Sequence, residues 1–103
     1  MRLDNRGRRP DNAPMLVCKQ VRYSGHVQGV GFRQTAKTIA SGYAVVGYVR
    51  NMAQGDVELV VQGEDEAVRG FLQHVAWRME RYIRQCVEHD QQVGQYGGFD
   101  IRS

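Results

Sequence analysis

The sequence of 103 residues predicts an α+β sandwich in which an antiparallel sheet carries two helices on one face. Three observations lead to it. Apolar residues repeat at helical spacing in two places, from Phe32 and from Val68; extended apolar runs stand before, between and after them; and two of those runs are joined directly through a short glycine-bearing connection at 52–55. Apolar residues are 42% of the chain and charged residues 24%, the balance of an ordinary folded domain, which excludes a wholly disordered or collagen-like chain. The length suits one small domain.

In chain order, residues 1–14 hold both prolines and four arginines with no repeating apolar pattern, and read as a disordered basic extension ahead of a domain at 15–103. Leu16, Val17, Cys18, Val21 and Tyr23 are then interleaved with Lys19, Gln20 and Arg22, a moderately amphipathic strand that leaves at Gly25. Phe32, Thr35, Ala36, Ile39 and Ala40 form the stripe of a first helix, and Gly42 stands where a helix end favours glycine. Val45–Asn51 is strand-like, and in the next run Val57, Leu59 and Val61 alternate with Asp56, Glu58 and Val60, so the two form a hairpin. Glu64, Asp65 and Glu66 open a second helix, where acids suit the N-terminal dipole, and Val68, Phe71, Leu72, Val75, Ala76 and Met79 continue it. Trp77 and Met79 are expected to pack at its end. Residues 82–88 read as a fourth strand, 89–98 as a loop and 99–101 as a short terminal strand.

The order β-α-β-β-α-β is the split-βαβ, or ferredoxin-like, arrangement. In it the first and second strands run the same way on either side of a third, so their C-terminal ends, Gly25 and Asn51, share one end of the sheet about 10 Å apart. Cys18 and Cys86 fall on neighbouring strands, which leaves a cross-strand disulfide geometrically open; with no secretion signal, two reduced thiols are expected instead.

The formal charge of +3 is concentrated at the start, where Arg2, Arg6, Arg8 and Arg9 against Asp4 and Asp11 leave +2, and only +1 for the rest. A nucleic-acid-binding domain would gather its cations on one face of the fold, and an RNA-binding sheet would present aromatics on its open face, where Val57, Leu59 and Val61 offer none. Both observations argue against a nucleic-acid partner. No apolar run approaches the roughly 20 residues that span a bilayer. Residues 1–14 lack the apolar stretch of a signal peptide, so no membrane association and residence in the cytoplasm are expected. The cysteines and His26, His74 and His89 are scattered without metal-ligand spacing, and neither a metal nor another cofactor is expected.

The chemistry is concentrated in residues 25–33, GHVQGVGFR. Glycine admits positive φ and lets successive N–H groups converge into an anion-binding nest, and a helix beginning beside Gly31 adds its free N–H groups and positive dipole end. Arg33 in the first turn supplies a charge whose fork matches two phosphate oxygens. The segment is neither a P-loop nor a dinucleotide fingerprint. A phosphate-sized dianion fits it. His26 is expected to face solvent.

The run GHVQGVGFR at 25–33, followed by Gly47-Tyr48-Val49-Arg50-Asn51, Gly55-Asp56-Val57-Glu58 and Gly98-Phe99-Asp100-Ile101-Arg102, resembles acylphosphatase over most of the sequence after the basic extension. It departs from the family at Tyr48, where tryptophan is common, and at 78–83, where the family carries a glycine and proline turn, leaving the end of the second helix and the next strand's register open. The resemblance implies a metal-free hydrolase that converts a small acyl phosphate to a carboxylate and inorganic phosphate, acting as a monomer and inhibited by its phosphate product. It implies that Arg33 binds the phosphoryl oxygens, that Asn51 positions the attacking water, and that the amides of Gln28, Gly29, Val30, Gly31 and Phe32 cradle the phosphate. Elementary chemistry agrees: a carboxylate is a good leaving group, and phosphoryl transfer depends mainly on positioning and charge stabilisation. The competing class is a non-catalytic phosphate- or RNA-binding ferredoxin-like module, and the presence of both Arg33 and Asn51 favours the enzyme.

Overall fold

The computed structural model describes residues 15–103, so the expected basic extension at 1–14 lies outside the described residues. Within them the elements are β1 (Leu16–Gly25), α1 (Phe32–Ala40), β2 (Val45–Asn51), β3 (Val57–Glu64), α2 (Asp65–Arg78), β4 (Ile83–Asp90) and β5 (Phe99–Arg102). The alternation read from Val57 is only half of what β3 is: every residue from Val57 to Gly63 is buried, because the strand lies at the centre of the sheet order β4-β1-β3-β2-β5. Because the strand is covered on both faces, even its polar residues Glu58 and Gln62 are buried.

β3 runs antiparallel to both β1 and β2, so those two run the same way on either side of it. Tyr23 and Asn51 are both in register with Val57, which sets the ends of β1 and β2 level. β4 is antiparallel to β1, and β5 alone departs from the antiparallel expectation by pairing parallel to β2.

One face of the sheet carries the core. Val21, Tyr23, Val49, Val57, Leu59, Val61 and Phe99 meet Phe32, Ala36, Ile39 and Ala40 of α1 and Val68, Phe71 and Val75 of α2. These helical residues are the apolar stripes of the sequence, and burying a side chain of the size of Leu59 or Phe71 stabilises the fold by about 1.5–3 kcal/mol. Tyr23 stacks tilted on Phe32 at 4.8 Å between centroids, which fastens the start of α1 to β1. At the end of α2, Met79 is buried but Trp77 is 71% exposed, contrary to the packing expected of it. The turn that follows is closed by Tyr82 N–H donating to the Met79 carbonyl at 2.9 Å, and β4 begins at Ile83, one residue later than expected.

The other face is crossed by residues 91–98, which connect the edge strand β4 to the opposite edge strand β5. Gln62 holds this crossing, its Nε2 donating to the Gly94 carbonyl at 2.9 Å and its Oε1 accepting from the Gly94 N–H at 2.8 Å. Strand alternation puts Glu58, Val60 and Gln62 on this face and Val57, Leu59 and Val61 on the core, so the open face expected from the sequence was the wrong set of β3 residues. It still carries no aromatic on β3, and Tyr48 of β2 is occupied by the Arg102 guanidinium, 3.9 Å from its ring centroid.

The same alternation separates the two thiols. Cys86 lines the α2 side of the sheet and pairs with Tyr23, whereas the Cys18 carbonyl accepts from Gln91 and its side chain is buried on the opposite face. They lie five ladder positions apart on opposite faces, and a disulfide requires Cα atoms within about 7 Å. The bridge left open by strand adjacency does not exist; both cysteines are free.

Candidate active site

Between β1 and α1 the backbone must reverse into a helix, and it does so through Gly29 at φ 81° and Gly31 at φ 80°. Gly31 is the residue capping α1, and a left-handed conformation there carries little strain only without a Cβ. The loop is tied down on its β1 side by the His26 N–H donating to the Tyr82 carbonyl at 2.9 Å, and by Val27, whose side chain is fully buried. His26 itself is exposed, as expected.

The first helical bond across this boundary is Thr35 N–H to the Gly31 carbonyl at 2.9 Å. Among the described residues the backbone N–H groups of Gln28, Gly29, Val30, Gly31, Phe32 and Arg33 donate to no protein acceptor. Neither a side-chain cap nor an acid in the first turn compensates the positive end of α1. Left-handed residues leading into a right-handed helical turn form the backbone pattern of an anion nest, and an uncompensated helix start adds to its attraction for negative charge.

Arg33 is half-buried, and its Nη1 makes a long contact, 3.4 Å, with the carbonyl of Arg102 at the end of β5. Arg102 is paired with Arg50, and Asn51 is the next residue of β2. The parallel edge strand therefore connects Arg33 to the end of the sheet that carries Asn51. Asn51 is half-buried, and among the described residues its carboxamide takes no hydrogen-bond partner. Arg33, Asn51 and the loop thus share one end of the molecule, as strand order implied.

The Gln28 side chain was not foreseen in its actual place. Rather than adding to the loop surface, its Nε2 donates to the carbonyls of Met52 at 2.8 Å and Asp56 at 2.9 Å, on the turn between β2 and β3. These partners stand 24 and 28 residues away, so no local pattern announces them. Arg22 adds an ion pair to Asp56 at 2.9 Å. Below the turn Glu58 is buried between Gln20 and Arg50; burial pushes its carboxyl up, but the hydrogen bonds from Gln20 and Arg50 and the Arg50 charge prevail and hold it below the usual carboxylate range.

A cleft of ≈ 700 Å³ between β1, β4 and α2 includes neither the loop nor Asn51. Gly29 and Gly31 are exposed and Arg33 and Asn51 half-buried, so the candidate site is an open surface cradle. No group of three or more His, Cys, Asp or Glu among the described residues is arranged to hold a metal ion, and no helix among them is long and apolar enough to cross a membrane.

Comparison with known proteins agrees with this architecture. The acylphosphatase of Petrotoga mobilis is 38% identical over 88 residues, 84% of this chain and 98% of that protein. That of Methanothrix thermoacetophila is 46% identical over 54 residues, which span 60% of its length and 52% of this chain. Among solved structures, an acylphosphatase from Coxiella burnetii superposes with a TM-score of 0.74 at 28% identity, covering 84% of this chain and 93% of that one. The sequence profile of the family Acylphosphatase matches residues 19–101, from the first strand through the last. A match of that extent, together with a relative aligned along almost its whole length, places this chain in the acylphosphatase family of hydrolases.

Proposed function

We propose that this protein hydrolyses small acyl phosphates to a carboxylate and inorganic phosphate by direct attack of water, without a metal. The observation that carries the reading is the meeting, at one end of the sheet, of a loop whose N–H groups lack protein acceptors, the Arg33 guanidinium and the Asn51 carboxamide. The amides of Gln28, Gly29, Val30, Gly31 and Phe32 and the Arg33 fork take the phosphoryl oxygens, where charge accumulates in the transition state. Asn51 accepts a hydrogen bond from the water with its carbonyl oxygen and so directs a lone pair at phosphorus. The new P–O bond forms as the phosphorus–acyl oxygen bond breaks, the electron pair leaves on the carboxylate, and the water's proton passes to the phosphate product. A carboxylate of low basicity needs no general acid, and water attack needs no nucleophilic side chain.

An open cradle binds the phosphoryl group and leaves the acyl portion largely to solvent, so the substrate class is small acyl phosphates in general, with inorganic phosphate returning to the cradle as an inhibitor. Residues 15–103 suffice for the reaction, the site is complete in one monomer, and the working compartment is the cytoplasm. The deciding experiment is hydrolysis of benzoyl phosphate in EDTA by the wild type and by Arg33→Ala and Asn51→Ala. Turnover in the wild type that is lost in both variants is expected. A folded wild type that binds inorganic phosphate without turning over benzoyl phosphate would leave a binding module in its place.

A further inference from the structure

We propose that Gln28 is a positioning residue whose side chain sets the spacing between the phosphate cradle and the water-directing Asn51. The inference rests on the roles given above to the loop, Arg33 and Asn51. A primary carboxamide has two donor hydrogens, and both of Gln28's are engaged: Nε2 lies 2.8 Å from the Met52 carbonyl and 2.9 Å from that of Asp56. What the side chain has left is an acceptor oxygen, which repels a phosphate dianion. Gln28 therefore serves the cradle through its backbone N–H alone, while its side chain acts on the opposite wall of the site.

That wall is the β2–β3 turn. Met52 follows Asn51 directly, and its N–H donates to the Asp56 carbonyl at 2.7 Å, so the two acceptors of Gln28 are the two ends of one closed turn. A single carboxamide spans both and fastens Asn51's strand end to the residue that opens the cradle. The Arg22–Asp56 ion pair holds the same turn from β1. Both carbonyls also have a backbone donor, Gly55 N–H to Met52 at 3.2 Å and Met52 N–H to Asp56. Removing Gln28's donors accordingly orphans no buried group, and the fold does not depend on them. Their effect is on distance, and a misplacement of about 1 Å between reacting groups can cost on the order of 10²-fold in rate.

The test is Gln28→Met, which keeps length and removes both donors without adding charge. For benzoyl phosphate hydrolysis, kcat is expected to fall roughly 10- to 100-fold while the inhibition constant of inorganic phosphate stays within about twofold of wild type. Unchanged kcat overturns the proposal, and so does a phosphate inhibition constant that weakens in step with kcat, since the side chain would then be serving the cradle itself. In the wild type, the Gln28 side-chain amide protons should exchange with solvent more slowly than those of the exposed Gln54 and Gln73; equal rates overturn the brace even if the Met variant fails to fold. A wild type inactive on benzoyl phosphate defeats the underlying reading of the site, and this proposal with it, whereas an active wild type beside a fully active Gln28→Met defeats the brace alone.

Discussion

Arg33 stands at the second position of α1, where its backbone N–H belongs to the helix start and its guanidinium reaches the end of β5. As the fixed cation proposed for the cradle, it should be worth roughly 10²-fold or more in kcat/KM when changed to alanine, the usual effect of deleting one preorganised charge-stabilising group. Asn51→Ala should behave differently: kcat falls while inhibition by inorganic phosphate is nearly retained, because the proposed role of Asn51 is toward the water. Steady-state kinetics with phosphate as a competitive inhibitor separates the two, and a collapse of phosphate affinity in Asn51→Ala would contradict the division. At this scale the sequence was legible for residue types and opaque for partners. The family motif named Arg33, Asn51 and the loop residues, whereas nothing near Gln28 in the chain points to Met52 or Asp56, since the contact exists only after β1 and β2 have been placed on either side of β3.

Two glycines decide the geometry of the elements. Gly31 caps α1 at φ 80°, and alanine there should destabilise the fold by about 1 kcal/mol through left-handed strain alone, since a Cβ would meet nothing within 4 Å. Gly47 is the harsher case: a Cβ on it would lie 1.9 Å from the Val60 carbonyl oxygen, with φ 142°, so the β2–β3 pairing must part to admit it. Gly47→Ala should lower stability by about 2–3 kcal/mol, read from the urea midpoint, and an unchanged midpoint would contradict the close approach. The sequence located every strand and helix because apolar periodicity is a local property. It missed the direction of β5, which pairs parallel to β2 at the edge, and it extended the loop before β5 two residues into β4. A four-residue terminal strand and a strand exposed along nearly its whole length carry too little apolar pattern to announce either.

For the molecule as a whole, the buried Glu58 couples stability to pH. Its carboxyl titrates below its ordinary value of 4.5, so its contribution is fully present above that value and is lost as pH falls through the depressed folded value. Glu58→Gln should therefore be less stable than wild type near neutral pH, by about 1–2 kcal/mol, because the carboxamide keeps only one acceptor oxygen for the two donors Arg50 and Gln20 and loses the charge that faces Arg50, and the difference in Tm should narrow in acid. A difference that is constant across pH would show that the charge does not matter. The sheet also predicts that the cysteines stay independent: mass spectrometry of unreduced monomer, alkylated in denaturant because Cys18 is buried, should find both thiols modified, and a monomer lighter by two protons would contradict their placement on opposite faces.

Spacing along the chain determined the order of the elements, the two apolar stripes that become the core, and the motif that names the family, because each depends on residues only a few positions apart. The tertiary structure decided the rest. It buried both faces of β3 and ran residues 91–98 across the sheet, so that Glu58, Val60 and Gln62 rather than Val57, Leu59 and Val61 face that side. It set Tyr23 and Asn51 level on Val57, separated Cys18 from Cys86, and turned Gln28 toward the β2–β3 turn. All of these follow from strand order and register, which are long-range choices among pairings that no window of sequence contains.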